Sequence, residues 1–431
     1  MAYLPEAETV EICRDLIRID TSNYGDGSGP GERAAAEHVA ALLDEVGIDS
    51  EIVESAPGRA SVVARWGNQD SDRPGLLLHG HLDVVPAQAA DWKIDPFAAE
   101  IVDGYVVGRG AVDMKDFDAM LLSVVRARQR AGAIPDRPIT LVFTADEEAG
   151  GVMGAHWIAD HRPDLLEGCT EAIGEVGGFS TEINGKRLYL IESGEKGIAW
   201  MRLRATGTAG HGSMRQSDNA VTHLAEALVA LGQHEWPQEP GPSMQILLDK
   251  VRELTGSDAQ DPETLLEHFG PAIRMIGAGI RNSTNATMLQ AGYKHNVVPG
   301  EAVAYVDGRY LPGHQDTFMP AVQDLVGDKV MVEPYITDAA LEFPFQGDLV
   351  DAMTVALHAE DPDAHVAPFL MSGGTDAKGW SKLGITSYGF TPLRLPADLD
   401  FTALFHGVDE RVPVDALEFG SRVFDRFLDL V

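Results

Sequence analysis

Several short stretches of this 431-residue chain put histidines and acids where apolar runs stop. LLLHGHLDVVP (76–86) carries three leucines straight into His-Gly-His-Leu-Asp. A strand that delivers polar groups at its C-terminal end suits the active-site edge of an open α/β sheet. His81 and Asp83, two residues apart on extended backbone, point to one side. A carboxylate so placed can accept the spare ring N–H of a metal-bound imidazole. PITLVFT (138–144) likewise ends in Asp146-Glu147-Glu148 and glycines, and three adjacent acids repel one another unless a cation is near. TEAIGEVGG (170–178) leads apolar Ala172-Ile173 into Glu175, AVDMK sets Asp113 at the start of a helix, and FHGVDERVP supplies His406. Taken singly each is ordinary: Asp113 reads equally well as a helix N-cap, where backbone N–H groups favour a carboxylate.

Taken together, His81, Asp113, Glu148, Glu175 and His406 are two imidazoles and three carboxylates. That set suits a pair of divalent metal ions, zinc first, with cobalt or manganese possible. One carboxylate could bridge both ions, and such a pair clamps and acidifies an attacking water. Glu147 is left over, placed to take that water's proton as general base and hand it to a leaving amine.

The elements that must position these groups follow from periodicity. Val10, Cys13, Leu16 and Ile17 mark an opening amphipathic helix. Thr21–Glu32 is a Gly-rich loop that lacks the Gly-Lys-Ser/Thr ending of a phosphate loop. A second helix and three strand-like segments lead to His79; Asp103-Gly104 turns a hairpin, and Phe117, Met120, Leu121, Val124 and Val125 share a helix face. Strand–helix alternation predicts an α/β fold with a mostly parallel sheet. From Gly194 the texture changes to the alternating KGIAWMRLRATG, AGHGS, a helix, and a strand pair around Pro299-Gly300. Residues 235–261, rich in Pro, Gly, Gln and acids, read as a surface excursion with a short helix inside. The expected organisation is a catalytic domain in two parts, 1–194 and 344–431, with an α+β domain inserted at 195–343.

A net charge of −34 and a pI near 4.6 oppose nucleic acid and anionic membranes as partners. Two cysteines are too few for a disulfide framework. No basic-then-apolar leader opens the chain, and no apolar run approaches the roughly 18 residues of a membrane span. A soluble, cytoplasmic protein is expected.

HGHLDVVP, GRGAVDMK (108–115), TADEEAGG (144–151), GEVGG (174–178), AGHGS (209–213), NVVPG (296–300), SGGTDA (372–377) and FHGVDE (405–410) occur in one order along nearly the whole chain. In that order they resemble the metallopeptidase family 20 amidohydrolases: aminoacylases, succinyl-diaminopimelate desuccinylases, acetylornithine deacetylases and glutamate carboxypeptidases. The resemblance implies a zinc-peptidase catalytic domain whose inserted domain is a lid that also forms a homodimer. It implies that His81, oriented by Asp83, shares one metal with Glu175, and that Glu148 and His406 hold the second. Asp113 would bridge the two, followed by a cis peptide bond, with Glu147 as general base. His211 would reach from the lid into the partner subunit's site to stabilise the tetrahedral oxyanion. Asn296 and Arg309 would anchor a substrate carboxylate, and Gly373, Gly374 and Thr375 would line the acyl side.

The implied substrate is an N-acyl amino acid or small peptide, cleaved at its amide bond. Carboxypeptidase or dipeptidase action is the alternative within catalysis, and a metal-binding interaction protein the alternative outside it. Two departures bear on this choice. Asp116 stands where many members have a small residue, facing either the pocket or solvent. Glu175, where peptidases of the family tend to carry Asp, leans toward N-acyl substrates. A free substrate amine would need an acidic partner beyond the metals, which the sequence does not identify. His79, although on the face of His81, lies outside the implied ligand set.

Overall fold

The computed structural model describes residues 4–431. Four parallel strands, in the order Pro138–Thr144, Gly75–His81, Cys169–Gly174 and Thr386–Gly389, form the centre of a ten-stranded sheet. Antiparallel strands extend it on both sides: Ser50–Ala56 and Arg59–Gly67 on one, Lys186–Glu195 and its neighbours on the other. The apolar runs of the central strands are buried on both faces, as a covered parallel sheet requires. Leu76, Leu78, Ile139, Leu141 and Phe143 face helices Thr9–Arg18, Lys115–Ala131 and Val414–Leu428. Leu77 and Val142 face the other way, against Ala155, Ile158 and Trp380. His79 belongs to that second face, its ring meeting Trp380 edge-on at 5.6 Å. Burial there, helped by the charge of His81, drives the His79 pKa down to about 3.

A second sheet of four antiparallel strands runs Ser283–Ala291, Glu301–Tyr310, Gly197–Thr206, Val330–Asp338. Helices Ala220–Gln233 and Phe318–Val326 cover one face, giving this sheet its own core around Met201, Leu203, Leu224 and Phe318. Alternate residues, Trp200, Tyr305 and Arg309 among them, stay partly exposed on the other face.

The segment read as a surface excursion is different. Pro242–Thr255 is a 14-residue helix with Met244, Leu247, Leu248, Val251 and Leu254 buried in the core of the larger sheet. Their spacing is that of one helix face. The helix expected within this segment is present, with Pro242 in the first turn and Gly256 at φ +71° as ordinary start and stop signals, but the flanking Pro, Gly and acids hid that it is core and not surface. Leu265, Leu266, Phe269, Ile276 and Ile280 continue into that same core. The backbone therefore passes between the two cores four times, near residues 196, 240, 282 and 340. Buried polar groups lace these passages together. Lys196 Nζ donates to the carbonyls of Ala278 (3.1 Å) and Arg281 (2.7 Å). Lys378 Nζ donates to those of Lys196 (2.9 Å) and Ala339 (2.6 Å). Glu342 accepts the Ser243 N–H at 2.8 Å. Among the described residues, no helix is long and apolar enough to cross a membrane.

Candidate metal centre

The central strands end side by side, with His81 paired to Thr144 and Leu78 to Ile173. Polar residues just past those ends therefore converge. The Nδ1 of His81 lies 2.9 Å from the carbonyl oxygen of Asp83. A carbonyl only accepts, so the ring proton sits on Nδ1 and Nε2 faces Asp113 at 3.1 Å and Glu175 at 3.4 Å. The other oxygen of Asp113 stands 3.1 Å from His406 Nε2, which also meets Glu148 at 3.0 Å. Two groups result, His81–Asp113–Glu175 and Asp113–Glu148–His406, with the ligand atoms of each within 4.8 Å of one another. The peptide bond after Asp113 is cis.

Local backbone aims these side chains. Asp146, Val176 and His406 all take left-handed φ values, +67°, +52° and +57°. Such conformations cost of order 1–3 kcal/mol each and persist where the surroundings enforce them. One precedes Glu147, one follows Glu175, and one is a ligand candidate itself.

The electrostatics fit a cation pair. Burial pushes Glu175 up to about 7 and Glu147 well above the carboxylate range, the charge of Glu175 adding to the latter. Burial also works upward on Asp113, but hydrogen bonds from His406 and His81 hold it well below the usual value. The bonds to Asp113 and Glu148 raise His406 to about 10. In other words, the cluster holds protons that divalent ions would displace on binding. Imidazole nitrogens and carboxylates in two groups around one shared acid are a donor set that fits two such ions.

Glu147 lies beside this set, its carboxylate 3.9 Å from His81 Nε2. Asp83 holds it there. The Asp83 carboxylate stands 3.6 Å from the His81 ring, beyond hydrogen-bond reach, and accepts instead the N–H groups of Glu147 (3.0 Å) and Glu148 (3.1 Å). It also takes the Asn23 amide at 2.8 Å. Asn23 donates to Asp146 (3.0 Å) and accepts from Arg59 (2.9 Å), and Arg59 pairs with buried Glu32. This support was missed in the sequence; the one signal for Asn23 was its place in the Gly-rich loop. Asp376, also missed, is buried and accepts the Thr144 hydroxyl, and burial raises its carboxyl to about 7.

The remaining candidates are not members of the two ligand groups. His211 is exposed on a two-residue strand paired with Val297–Val298, its ring 2.8 Å from the Ser213 hydroxyl. Asn296 belongs to the same ribbon, accepting the Gly212 N–H at 2.9 Å. Arg309 is gripped by Asp307 in a two-point fork, at 2.7 and 3.1 Å. Gly374 and Thr375 sit where the chain passes between the cores. A Cβ on Gly374 would fall 2.5 Å from Lys378, and the Thr375 N–H donates to Glu195 at 3.1 Å.

The profile of peptidase family M20/M25/M40 matches residues 77–430. The chain belongs to this family. Like its relatives, this M20 protein is a metal-dependent hydrolase of C–N bonds, within a family that includes dinuclear metal peptidases. It is 26% identical to the N-fatty-acyl-amino acid synthase/hydrolase PM20D1 of Xenopus tropicalis, over 97% of this chain and 85% of the relative. It is 26% identical to human aminoacylase-1, over 98% and 96%. Among solved structures, the M20 metallo-carboxypeptidase Sso-CP2 of Sulfolobus solfataricus superposes with a TM-score of 0.72 at 16% identity, covering 98% of this chain and 99% of that one. The dipeptidase Dug1p of Saccharomyces cerevisiae gives 0.70 at 16%, covering 98% and 95%. The expected α/β architecture with a largely parallel sheet is thus the fold of the M20 enzymes.

Proposed function

We propose that this M20 protein is a di-zinc hydrolase that cleaves the amide bond of an N-acyl amino acid or small peptide. One observation carries the reading: the two oxygens of Asp113 each face a different imidazole, at 3.1 Å, so two three-residue groups share one acid. His81, Asp113 and Glu175 would hold one ion, and Asp113, Glu148 and His406 the other. Bound there, the ions would supply an acidified water and polarise the scissile carbonyl.

This chain's own residues do the rest. Glu147, half-buried beside the ligand groups with its carboxylate 3.9 Å from His81 Nε2, would take the proton of the attacking water and deliver it to the departing amine. Asp83 positions His81 through its carbonyl and Glu147 through its carboxylate. Arg309 would offer the guanidinium edge that Asp307 leaves free to the carboxylate of the amino-acid half, with Asn296 as a second contact for it. His211, on the ribbon that leads into the four-stranded sheet, would act in the site of a partner subunit, in a homodimer formed through that sheet, which would also serve as the lid. The two cysteines are unbridged, as suits a reducing cytoplasm.

The test is turnover of metal-loaded protein on N-acetyl amino acids, N-succinyl amino acids and dipeptides, with metal content measured alongside. Hydrolysis of at least one class with about two ions per chain is expected. No hydrolysis of any class, or no bound zinc, cobalt or manganese, would sink the proposal.

A further inference from the structure

Asp116 lies three residues past Asp113, in the first turn of helix Lys115–Ala131. It is 1% exposed, and neither carboxylate oxygen has a hydrogen-bond partner. Burial raises its carboxyl well above the usual range; the Phe117 N–H opposes this but falls short of hydrogen-bond geometry. Thr391 is 7% exposed, and its hydroxyl is likewise unpartnered. Both line a single cavity that Glu175 also borders. Much of the remaining wall is aromatic. Phe179, Phe401 and Phe405 line it, and successive ring centroids are 5.1 and 5.2 Å apart. The space open to a water-sized group is about 10 Å³, room for one such group.

The chemistry of this lining is selective. A buried acid with nothing to bind is costly, so a partner that donates is favoured over one that accepts. A neutral acyl chain would touch the phenyl rings and leave Asp116 unpaired. A second carboxylate, as in a succinyl group, would find no cation in the lining and would carry its charge beside Glu175. A primary ammonium satisfies every wall: it is water-sized, donates to a carboxylate and a hydroxyl, and is attracted to aromatic faces. Glu175 borders both the cavity and the first ligand group, so a substrate carbonyl held at that group would have its acyl substituent beside the cavity.

We propose that the Asp116–Thr391 cavity is a subsite for a primary ammonium on the acyl half of the substrate, making the enzyme one for aminoacyl amides such as small peptides with a free N-terminus. The proposal rests on the amide-hydrolase reading above and narrows its substrate class. It opposes the lean toward N-acyl substrates implied by Glu175, and it supplies the acidic partner for an amine that the sequence did not identify.

Glycyl-L-leucine and N-acetyl-L-leucine differ only in an amine replacing one methyl hydrogen. Their kcat/KM values, measured at neutral pH on metal-loaded wild type, Asp116→Asn and Thr391→Val, give a ratio free of general damage. The wild-type ratio should favour the glycyl substrate. Asp116→Asn should lower it by about tenfold or more, chiefly through KM, and Thr391→Val by a smaller factor in the same direction. Should Asp116→Asn fail to fold, the wild-type ratio and Thr391→Val decide. An unchanged ratio in the variants, or a wild-type ratio favouring the acetyl substrate, overturns the subsite and leaves amide hydrolysis standing. Failure to hydrolyse either substrate overturns the subsite, and the amide-hydrolase reading falls with it only if the N-succinyl amino acids fail as well.

Discussion

The carboxylate of Asp83 accepts the backbone N–H of Glu147 at 3.0 Å while its own carbonyl holds the His81 ring at 2.9 Å. One residue thus fixes a candidate ligand and the candidate base with two different groups. Truncation would free the Glu147–Glu148 turn and take from the Asn23 amide one of its two acceptors. Asp83→Ala should weaken metal affinity by about 10–100-fold, the usual effect of losing a group that orients ligands. Titration with a chelator-buffered metal would measure it, and wild-type affinity in the variant would refute the linkage.

Glu147 is assigned a proton and no ion. Glu147→Gln should therefore lower kcat by about 10²–10⁴-fold with metal content unchanged. Loss of an ion in that variant would reassign Glu147 as a ligand, and full activity would remove it from the mechanism.

Arg309 is pre-set by Asp307, which occupies its Nε and one terminal nitrogen. If the free edge binds a substrate carboxylate, Arg309→Ala should cost about 10–100-fold in kcat/KM for a substrate with that carboxylate. The matching carboxamide, already a poor substrate, should barely change. Equal losses on both would point to a structural role at the sheet.

His79 sets an acid limb on stability. Its folded pKa of about 3 lies below the ordinary 6.5, so between those values the unfolded chain binds a proton that the folded one refuses. Stability is then present above about pH 6.5 and is lost as pH falls toward 3, with a slope of up to roughly 1.4 kcal/mol per pH unit. His79→Asn should flatten that limb by about one proton in urea melts taken from pH 7 to pH 4. An unchanged slope would mean that other groups carry it.

Most of the fold and the ligand groups could be read from the chain, because both depend on local pattern. Apolar runs ending in His81, Glu147 or Glu175 announce strands and their functional ends together, since period-two burial and a strand terminus are encoded within ten residues. What escaped depends on distant contacts. Asn23 matters only because residue 83 folds beside it. A short helix was legible within 235–261, but its loop-like flanks pointed to the surface, whereas the apolar face of Pro242–Thr255 packs into the larger core. Asp116, the second residue of its helix, faces either the pocket or solvent as far as sequence goes. Its burial, in a cavity shared with Phe179, Phe401 and Phe405, decides for the pocket.

The four backbone passages between the cores restrict how the smaller sheet can move. A body hung from two adjoining strands can swing, slide and twist. Four tethers, cross-stitched by Lys196, Lys378 and Glu342, leave fewer such freedoms than two would. Any approach of Arg309 and His211 toward the candidate ligand groups would be restricted accordingly.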